Sequence, residues 1–457
     1  MGRKDSWRIV RFLGLLLVTS AYCGCVAPHP EGMNVLMITL DTTRADHVSP
    51  LGAEPRITPN LQAWSARSCL FTNAVSETNI TNPSHLSIMT GLRAIEHGVM
   101  SNRVSVPESV DTLAEAMRRA GYRTAGFPAA PHLGRAMGWR GFDVLPEIRS
   151  LLGAEAITAR AVAWLRENGD APFFLWVHYF DPHVPYDPPA DIAAKFYRGD
   201  RESGDGPRIA DLDFFKRRRR SGPVRAWLAA TRDPEYPRAM YAGEVHYMDR
   251  EIGHLLDQIE YLGLGNDTVV VVVADHAESL GEHGIFYAHS GLYEQQLRIP
   301  FIIGLPGLEP SRSDAFVSTL DVAPTISELT GVRLRHEPSG LSLVPLLLGE
   351  ASSELAARST FVHQNARNRA VAVRQDHWKL IWPVDQKWIL WQPPQLYDLK
   401  ADPEELVNLA AEQPGRVRAM RRLIQPWIDL GPVRSGSVSN LDEAVREELR
   451  ALGYLGD

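Results

Sequence analysis

Asp41 closes the apolar run Asn34-Val35-Leu36-Met37-Ile38-Thr39-Leu40, and Asp275, followed by His276, closes the valine-rich run Thr268-Val269-Val270-Val271-Val272-Val273-Ala274. Carboxylates joined by an imidazole suit a divalent ion such as Zn²⁺ or Mn²⁺. A lone Asp at a strand end can equally cap a turn, so the metal reading needs a further element. The segment Thr81-Asn82-Pro83-Ser84-His85-Leu86-Ser87-Ile88-Met89-Thr90-Gly91 supplies one. Pro83 suits the first position of a helix and Gly91 its end, which places Thr81 just before a helix N-terminus. Unbonded N–H groups and the positive end of the helix dipole there stabilise a negatively charged oxygen. A hydroxyl so placed, beside a divalent ion held by Asp41, Asp275 and His276, becomes a nucleophile near neutral pH.

Such distant residues meet only if the fold brings strand ends together. Further apolar runs, Pro172 to His178 and Pro300 to Ile303, alternate with helical patterns. That alternation predicts an α/β chain with a doubly wound, mostly parallel sheet flanked by helices, whose ligand crevice lies at the carboxyl ends of the strands. Val245, Met248, Ile252, Leu255, Leu256 and Ile259 form one buried helix stripe, and Thr112 to Gly121 reads as a helix capped by its glycine. Residues 188–238, rich in charge, Gly and Pro, break the rhythm and read as an insertion over the core. From about residue 355 the pieces shorten: Arg369 to Arg374 and Trp378 to Trp382 predict a small antiparallel C-terminal sheet, and Leu441 to Leu452 a closing amphipathic helix. The expected units are thus a leader over 1–25, a catalytic α/β domain over 32–350 containing the insertion, and a C-terminal subdomain over 355–457.

The chain is 457 residues long, 44% hydrophobic and 23% charged, which suits a globular protein with a large core. Its 48 Lys and Arg against 55 Asp and Glu leave a net charge of −7, so no overall positive field exists to hold nucleic acid. The local exception, Lys216-Arg217-Arg218-Arg219-Arg220, reads as a solvated face, with an anion or membrane surface as the alternative partner. Arg3, Lys4, Arg8 and Arg11 precede the apolar stretch Phe12 to Val18, the pattern of an export signal too short to span a bilayer permanently. Tyr22-Cys23-Gly24-Cys25 is similar to a bacterial lipoprotein cleavage box, although Tyr22 stands where Leu is usual. Export to the periplasm, the outer membrane or cell surface as a lipoprotein, or the medium is therefore expected. Two of the three cysteines lie in this leader, so Cys69 would have no partner for an intrachain disulfide in the mature protein.

Several segments in order resemble the sulfatase family of the alkaline phosphatase superfamily: Asp41-Thr42-Thr43-Arg44-Ala45-Asp46, Thr58-Pro59-Asn60-Leu61, the stretch ending Thr90-Gly91, Asp275-His276-Ala277-Glu278-Ser279-Leu280-Gly281-Glu282-His283-Gly284, Asp321-Val322-Ala323-Pro324-Thr325, and Leu396-Tyr397-Asp398-Leu399 before Asp402-Pro403-Glu404. The resemblance implies that Asp41, Asp275 and His276 bind metal, joined by Thr81 at the nucleophile position. It implies substrate-side or catalytic roles for His183, in Asp181-Pro182-His183-Val184-Pro185-Tyr186, and for His289, near where many sulfatases have a Lys. His183 and His289, with Asp181, could instead hold a second metal, and all could be structural. His178 and His283 are further candidates of the same kind.

Usual sulfatases carry Cys or Ser where Thr81 stands, converted to formylglycine, and Arg where His85 stands. Thr cannot form that aldehyde, so no formylglycine is expected, and His85 joins His183 and His289 as a candidate substrate-binding residue. Thr42 replaces a common second acid, which favours Zn²⁺ or Mn²⁺ over Ca²⁺. The sequence therefore predicts a hydrolase of sulfate or phosphate esters, with Thr81 favouring phosphate mono- or diesters and a small-molecule, glycan or lipid ester as substrate. The alternatives are a transferase of phosphoryl-linked groups to envelope glycans or lipids, and a catalytically weak glycan- or lipid-binding protein. The leader yields its own test: mass spectrometry of the mature protein should find a lipid-modified N-terminal Cys25, and an unmodified N-terminus elsewhere would rule lipidation out.

Overall fold

The computed structural model describes residues 32–217, 222–386 and 392–432. The expected leader, Cys25, Arg218 to Arg220 of the basic run and the helix at Leu441 to Leu452 lie outside the described residues. Among those described, no helix is long and apolar enough to cross a membrane.

The main sheet is built from β1 (Asn34–Leu40), β2 (Cys69–Val75), β3 (Arg123–Phe127), β4 (Phe173–Tyr179) and β5 (Thr268–Ala274), joined, beyond a small hairpin of β6 (Ser279–Leu280) and β7 (Phe286–Ala288), by β8 (Phe301–Gly304) and β9 (Ser311–Ser318). Its order is β3-β4-β1-β5-β8-β2-β9. Pairing is parallel throughout except where β8 runs against both β5 and β2. Every residue of β1, β4 and β5 is buried, because helices cover both faces. One packed group contains Pro59–Ser65, Ala154–Asn168 and the long helix Glu235–Tyr261, and another contains Thr81–Thr90, Leu113–Arg119 and Val322–Thr330. The predicted stripe on the long helix is buried at all six positions. Thr112 caps the helix Leu113–Arg119 through a reciprocal box with Glu115.

The insertion is helical in short pieces, Ala190–Phe196, Asp213–Arg217 and Gly222–Trp227, and its last residues already belong to the long helix. The C-terminal subdomain is a four-stranded antiparallel sheet, β10 (Thr360–Gln364), β11 (Ala370–Gln375), β12 (Trp378–Pro383) and β13 (Gln395–Asp398). It abuts the approach to Thr81, since Gln364 N–H donates to Glu77 O and Gln364 bridges Thr78. Lys379 of β12 is fully buried, with Nζ 2.8 Å from Glu294 and 2.9 Å from Glu405, and so ties this sheet to the catalytic domain. Removing the ammonium would strand two buried carboxylates. Lys379→Ala should therefore destabilise the protein by about 3–5 kcal/mol in denaturant unfolding, and a loss below about 1 kcal/mol would show that this cluster does not hold the subdomain.

Candidate active site

Register alone sets the two acids side by side. Leu40 pairs with Tyr179 on one side and Ala274 on the other, and the ladder continues for one more residue: Asp41 N–H donates to Tyr179 O and Asp275 N–H to Leu40 O. Alternation along the strands then turns Thr39, Asp41, His178, Val273 and Asp275 to one face of the sheet. Beyond β1 the chain turns sharply at Thr42, a buried β-branched residue at φ 48°, a strained conformation of the kind found at functional sites. The turn is held by Thr42 N–H donating to Asp275 Oδ1, by Tyr241 O–H donating to Thr42 O, and by Arg44 N–H donating to the Tyr241 oxygen. Arg44 then clamps the loops together, gripping Asp46 with two nitrogens and reaching Glu282 and Glu278 O.

Ligand atoms of Asp41, Asp275 and His276 all lie within 4.8 Å of one another, and all three residues are fully buried. Burial pushes the Asp41 carboxyl well above its usual range; burial and then the neighbouring Asp41 do the same to Asp275. Asp275 Oδ1 accepts from the His276 and Thr42 amides, whereas its Oδ2 and both oxygens of Asp41 are buried without a hydrogen bond of good geometry, Thr81 giving Asp41 its only relief. Such stranded acceptors beside an imidazole fit a divalent cation. His276 completes the set, because its Nδ1–H donates to Ala277 O and leaves the Nε2 lone pair facing Thr81 Oγ at 3.3 Å.

Thr81 is the first residue of the fully buried helix Thr81–Thr90, with extended Ile80 before it, so the helix starts ahead of Pro83, the first position that its sequence suggested. Gly91 ends it at φ +70°, where a side chain would collide with Pro338. One N–H that sequence reasoning offered to an anion is already used: Asn82 N–H donates to Asn102 Oδ1. His85, one helical turn after Thr81, is fully buried, with its ring nitrogens bonded to Thr81 O and Thr39 Oγ1.

The family model described as Sulfatase matches residues 33–332. The chain belongs to the sulfatase family. It is an ester hydrolase of that family, and a second model, described as the C-terminal part of N-sulphoglucosamine sulphohydrolase, matches residues 281–425. Choline-sulfatase from Rhizobium meliloti is 27% identical over 436 residues, covering 84% of this chain and 83% of that one. A multifunctional alkaline phosphatase superfamily protein, PehA, from Trinickia caryophylli is 28% identical over 482 residues, covering 83% and 91%. Among solved structures, phosphonate monoester hydrolase from Agrobacterium radiobacter superposes with a TM-score of 0.70 at 22% identity, over 86% of this chain and 95% of that one.

Around this sulfatase centre the remaining candidates separate. His183 and His289 face each other with ring centroids 5.7 Å apart, and His289 packs on His276 at 4.5 Å. Each uses Nδ1–H on a backbone carbonyl, of Val184 and Asn79 respectively, so Nε2 is the acceptor edge. Burial, then His289, depresses His183 to about 3, so it is neutral at ordinary pH. Asp181 does not join them: its carboxyl is close to Glu244 on the long helix, and it forms no metal-sized group with the two histidines. His283 stacks on Tyr293, whose hydroxyl donates to Gln395 of the C-terminal sheet. His178 instead belongs to the centre, with Nε2 3.4 Å from Asp41 Oδ2.

One residue of this neighbourhood escaped sequence reasoning. His132, in the turn Pro131–Leu133, is fully buried within electrostatic reach of His178, His85, His183 and His289; burial and then those rings hold it well below its usual range. The available signal was its place shortly after β3, at the carboxyl edge of the sheet. If the three-residue group is the metal site, purified Asp275→Ala should carry far less bound metal than the parent in elemental analysis. Full occupancy in a folded Asp41→Ala, Asp275→Ala double variant would refute the assignment.

Proposed function

We propose that this sulfatase-family enzyme hydrolyses phosphate mono- or diesters with unmodified Thr81 as nucleophile. The observation that carries the reading is the Thr81 hydroxyl itself, 3.3 Å from His276 Nε2 and in contact with Asp41, at the residue position where formylglycine-dependent members have Cys or Ser. The name of the solved relative that hydrolyses phosphonate monoesters, and the multifunctional description of PehA, support a centre of this fold being open to phosphorus chemistry.

A divalent ion bound by Asp41, Asp275, His276 and Thr81 would supply Lewis acidity to the hydroxyl and to the ester oxygens. Two carboxylates, one imidazole and one hydroxyl favour Zn²⁺ or Mn²⁺ over Ca²⁺, which takes six or more oxygens. Thr81 Oγ bonds to phosphorus as the ester's alcohol oxygen leaves, and that oxygen takes up the proton Thr81 gives away. His289, packed on His276, is the imidazole placed to carry it, and His183 stands beyond. Water then cleaves the bond between phosphorus and Thr81 Oγ and restores the hydroxyl, releasing phosphate from a monoester substrate and a phosphate monoester from a diester. A sulfated threonine lacks the aldehyde-forming exit that formylglycine provides, so the same residue suits sulfate esters poorly.

The decisive measurement is kcat/KM for matched aryl phosphate, phosphodiester and sulfate substrates. A phosphate ester should be turned over best, Thr81→Ala should lose orders of magnitude in rate, and Thr81→Ser should keep much of it. Efficient sulfate cleavage that survives in Thr81→Ala would overturn both the nucleophile and the preference.

A further inference from the structure

Two buried histidines behind the centre have a shared arrangement that the reaction itself does not use. His178 Nδ1 accepts the Ala129 N–H at 3.1 Å, so in the neutral ring the proton sits on Nε2. That nitrogen is buried, has no hydrogen bond of good geometry, and lies 3.4 Å from Asp41 Oδ2. His85 Nδ1 lies 2.9 Å from Thr81 O, which can only accept, so the proton sits on Nδ1. The same nitrogen is 3.5 Å from Asp275 Oδ2. His85 Nε2 is then a lone pair receiving the Thr39 hydroxyl at 3.0 Å, while Thr39 Oγ1 accepts from Trp176 Nε1–H at 2.9 Å. The rings meet edge to face, with centroids 4.8 Å apart. One N–H is thus fixed next to each of the two carboxylates, from opposite ring positions.

We infer that His85 and His178 are paired positioning residues that orient the carboxylates of Asp275 and Asp41 for a divalent cation, each through close electrostatic contact from one neutral imidazole N–H, at 3.5 and 3.4 Å, rather than through a formed hydrogen bond. This rests on the reading of Asp41, Asp275 and His276 as the metal site. Two carboxylates forced together in a buried site repel each other and must be oriented before a cation arrives. A Lys or Arg in the same place would orient them but offset part of the negative charge that a cation meets. A neutral N–H supplies a partial positive charge and a direction while leaving both negative charges in place. Burial is the largest influence keeping both rings neutral. Outer-shell partners of this kind typically contribute 10–100-fold to metal affinity. The arrangement also gives a reason for His at position 85: its ring reaches Thr81 O and Asp275 together from one helix turn away, without bringing a charge.

The test is calorimetric titration of Mn²⁺ and of Zn²⁺ into the full, metal-stripped protein, with the thermal midpoint of each stripped variant recorded as a check on folding. A glutamine amide reproduces a donor at the Nε2 position and an asparagine amide one at Nδ1. Leu at either position should weaken metal binding 10–100-fold, whereas His178→Gln and His85→Asn should stay within about threefold of the parent. The crossed variants, His178→Asn and His85→Gln, should bind as weakly as the Leu variants. Should the Leu variants fail to fold, the comparison of matched with crossed amides decides alone. Equal binding by matched and crossed amides, or parental affinity in folded Leu variants, would overturn the inference. No metal binding by the parent would instead sink the metal-site reading itself.

Discussion

Everything at the centre follows from one constraint: the parallel register of β1 and β5 ends both strands at the same level, and both continue as aspartate. Side by side, on one face of a sheet covered by helices, Asp41 and Asp275 are fully buried; burial raises both carboxyls, and Asp41 raises Asp275 further. Two like charges in such a place are unfavourable by several kcal/mol unless something compensates them. The fold does not pair them with Lys or Arg. It leaves three of their four oxygens without a good hydrogen bond and surrounds them with groups that orient but do not neutralise.

The surrounding loops can be understood as what that constraint requires. Thr42 takes a left-handed backbone conformation, unusual for a β-branched residue, and so turns its N–H onto Asp275 Oδ1. Strain there must be met by rigidity, which Tyr241 provides by bonding both sides of the turn and Arg44 by joining the β1 loop to the loop beyond β5. Ser84 Oγ donates to Asp275 O, so the helix carrying Thr81 is bonded directly to the strand end carrying the acid. Thr81 and the acids therefore share one hydrogen-bonded unit, and the C-terminal sheet, through Gln364 and Glu77, buttresses the segment that enters it.

What the sequence made legible is what has a one-dimensional signature. Uninterrupted apolar runs marked β1, β4 and β5, acids at their ends marked the carboxyl edge, and Gly91 marked the end of the Thr81 helix. The edge strand β9, Ser-Arg-Ser-Asp at its start, is half exposed and lacked the apolar signal, and nothing local reveals that β8 runs antiparallel. Side-chain direction was equally hidden. His85 read as a candidate substrate-binding residue where usual sulfatases have Arg, and its place one helical turn after Thr81 also lets its ring bond back to Thr81 O. Asp181 and His183 are neighbours in sequence and part company in space, the acid turning to Glu244 and the ring to His289.

The chemistry of the pocket follows from proton positions. His183, His276 and His289 each tie Nδ1–H to a backbone carbonyl, so the edges they leave are acceptors. Together with two buried acids they make a neighbourhood that attracts cations and repels an anionic ester. On the proposed reading, an anionic ester is held against Thr81 only after positive charge is present in the centre, which would link affinity for substrate and affinity for a divalent ion through the same carboxylates. A site with a lysine or arginine cradle could bind its substrate first and wait. Among the described residues no Lys or Arg pairs with Asp41 or Asp275, so the proposed reaction makes cation binding its first requirement, and the reason lies in that pair of aspartates at the ends of two parallel strands.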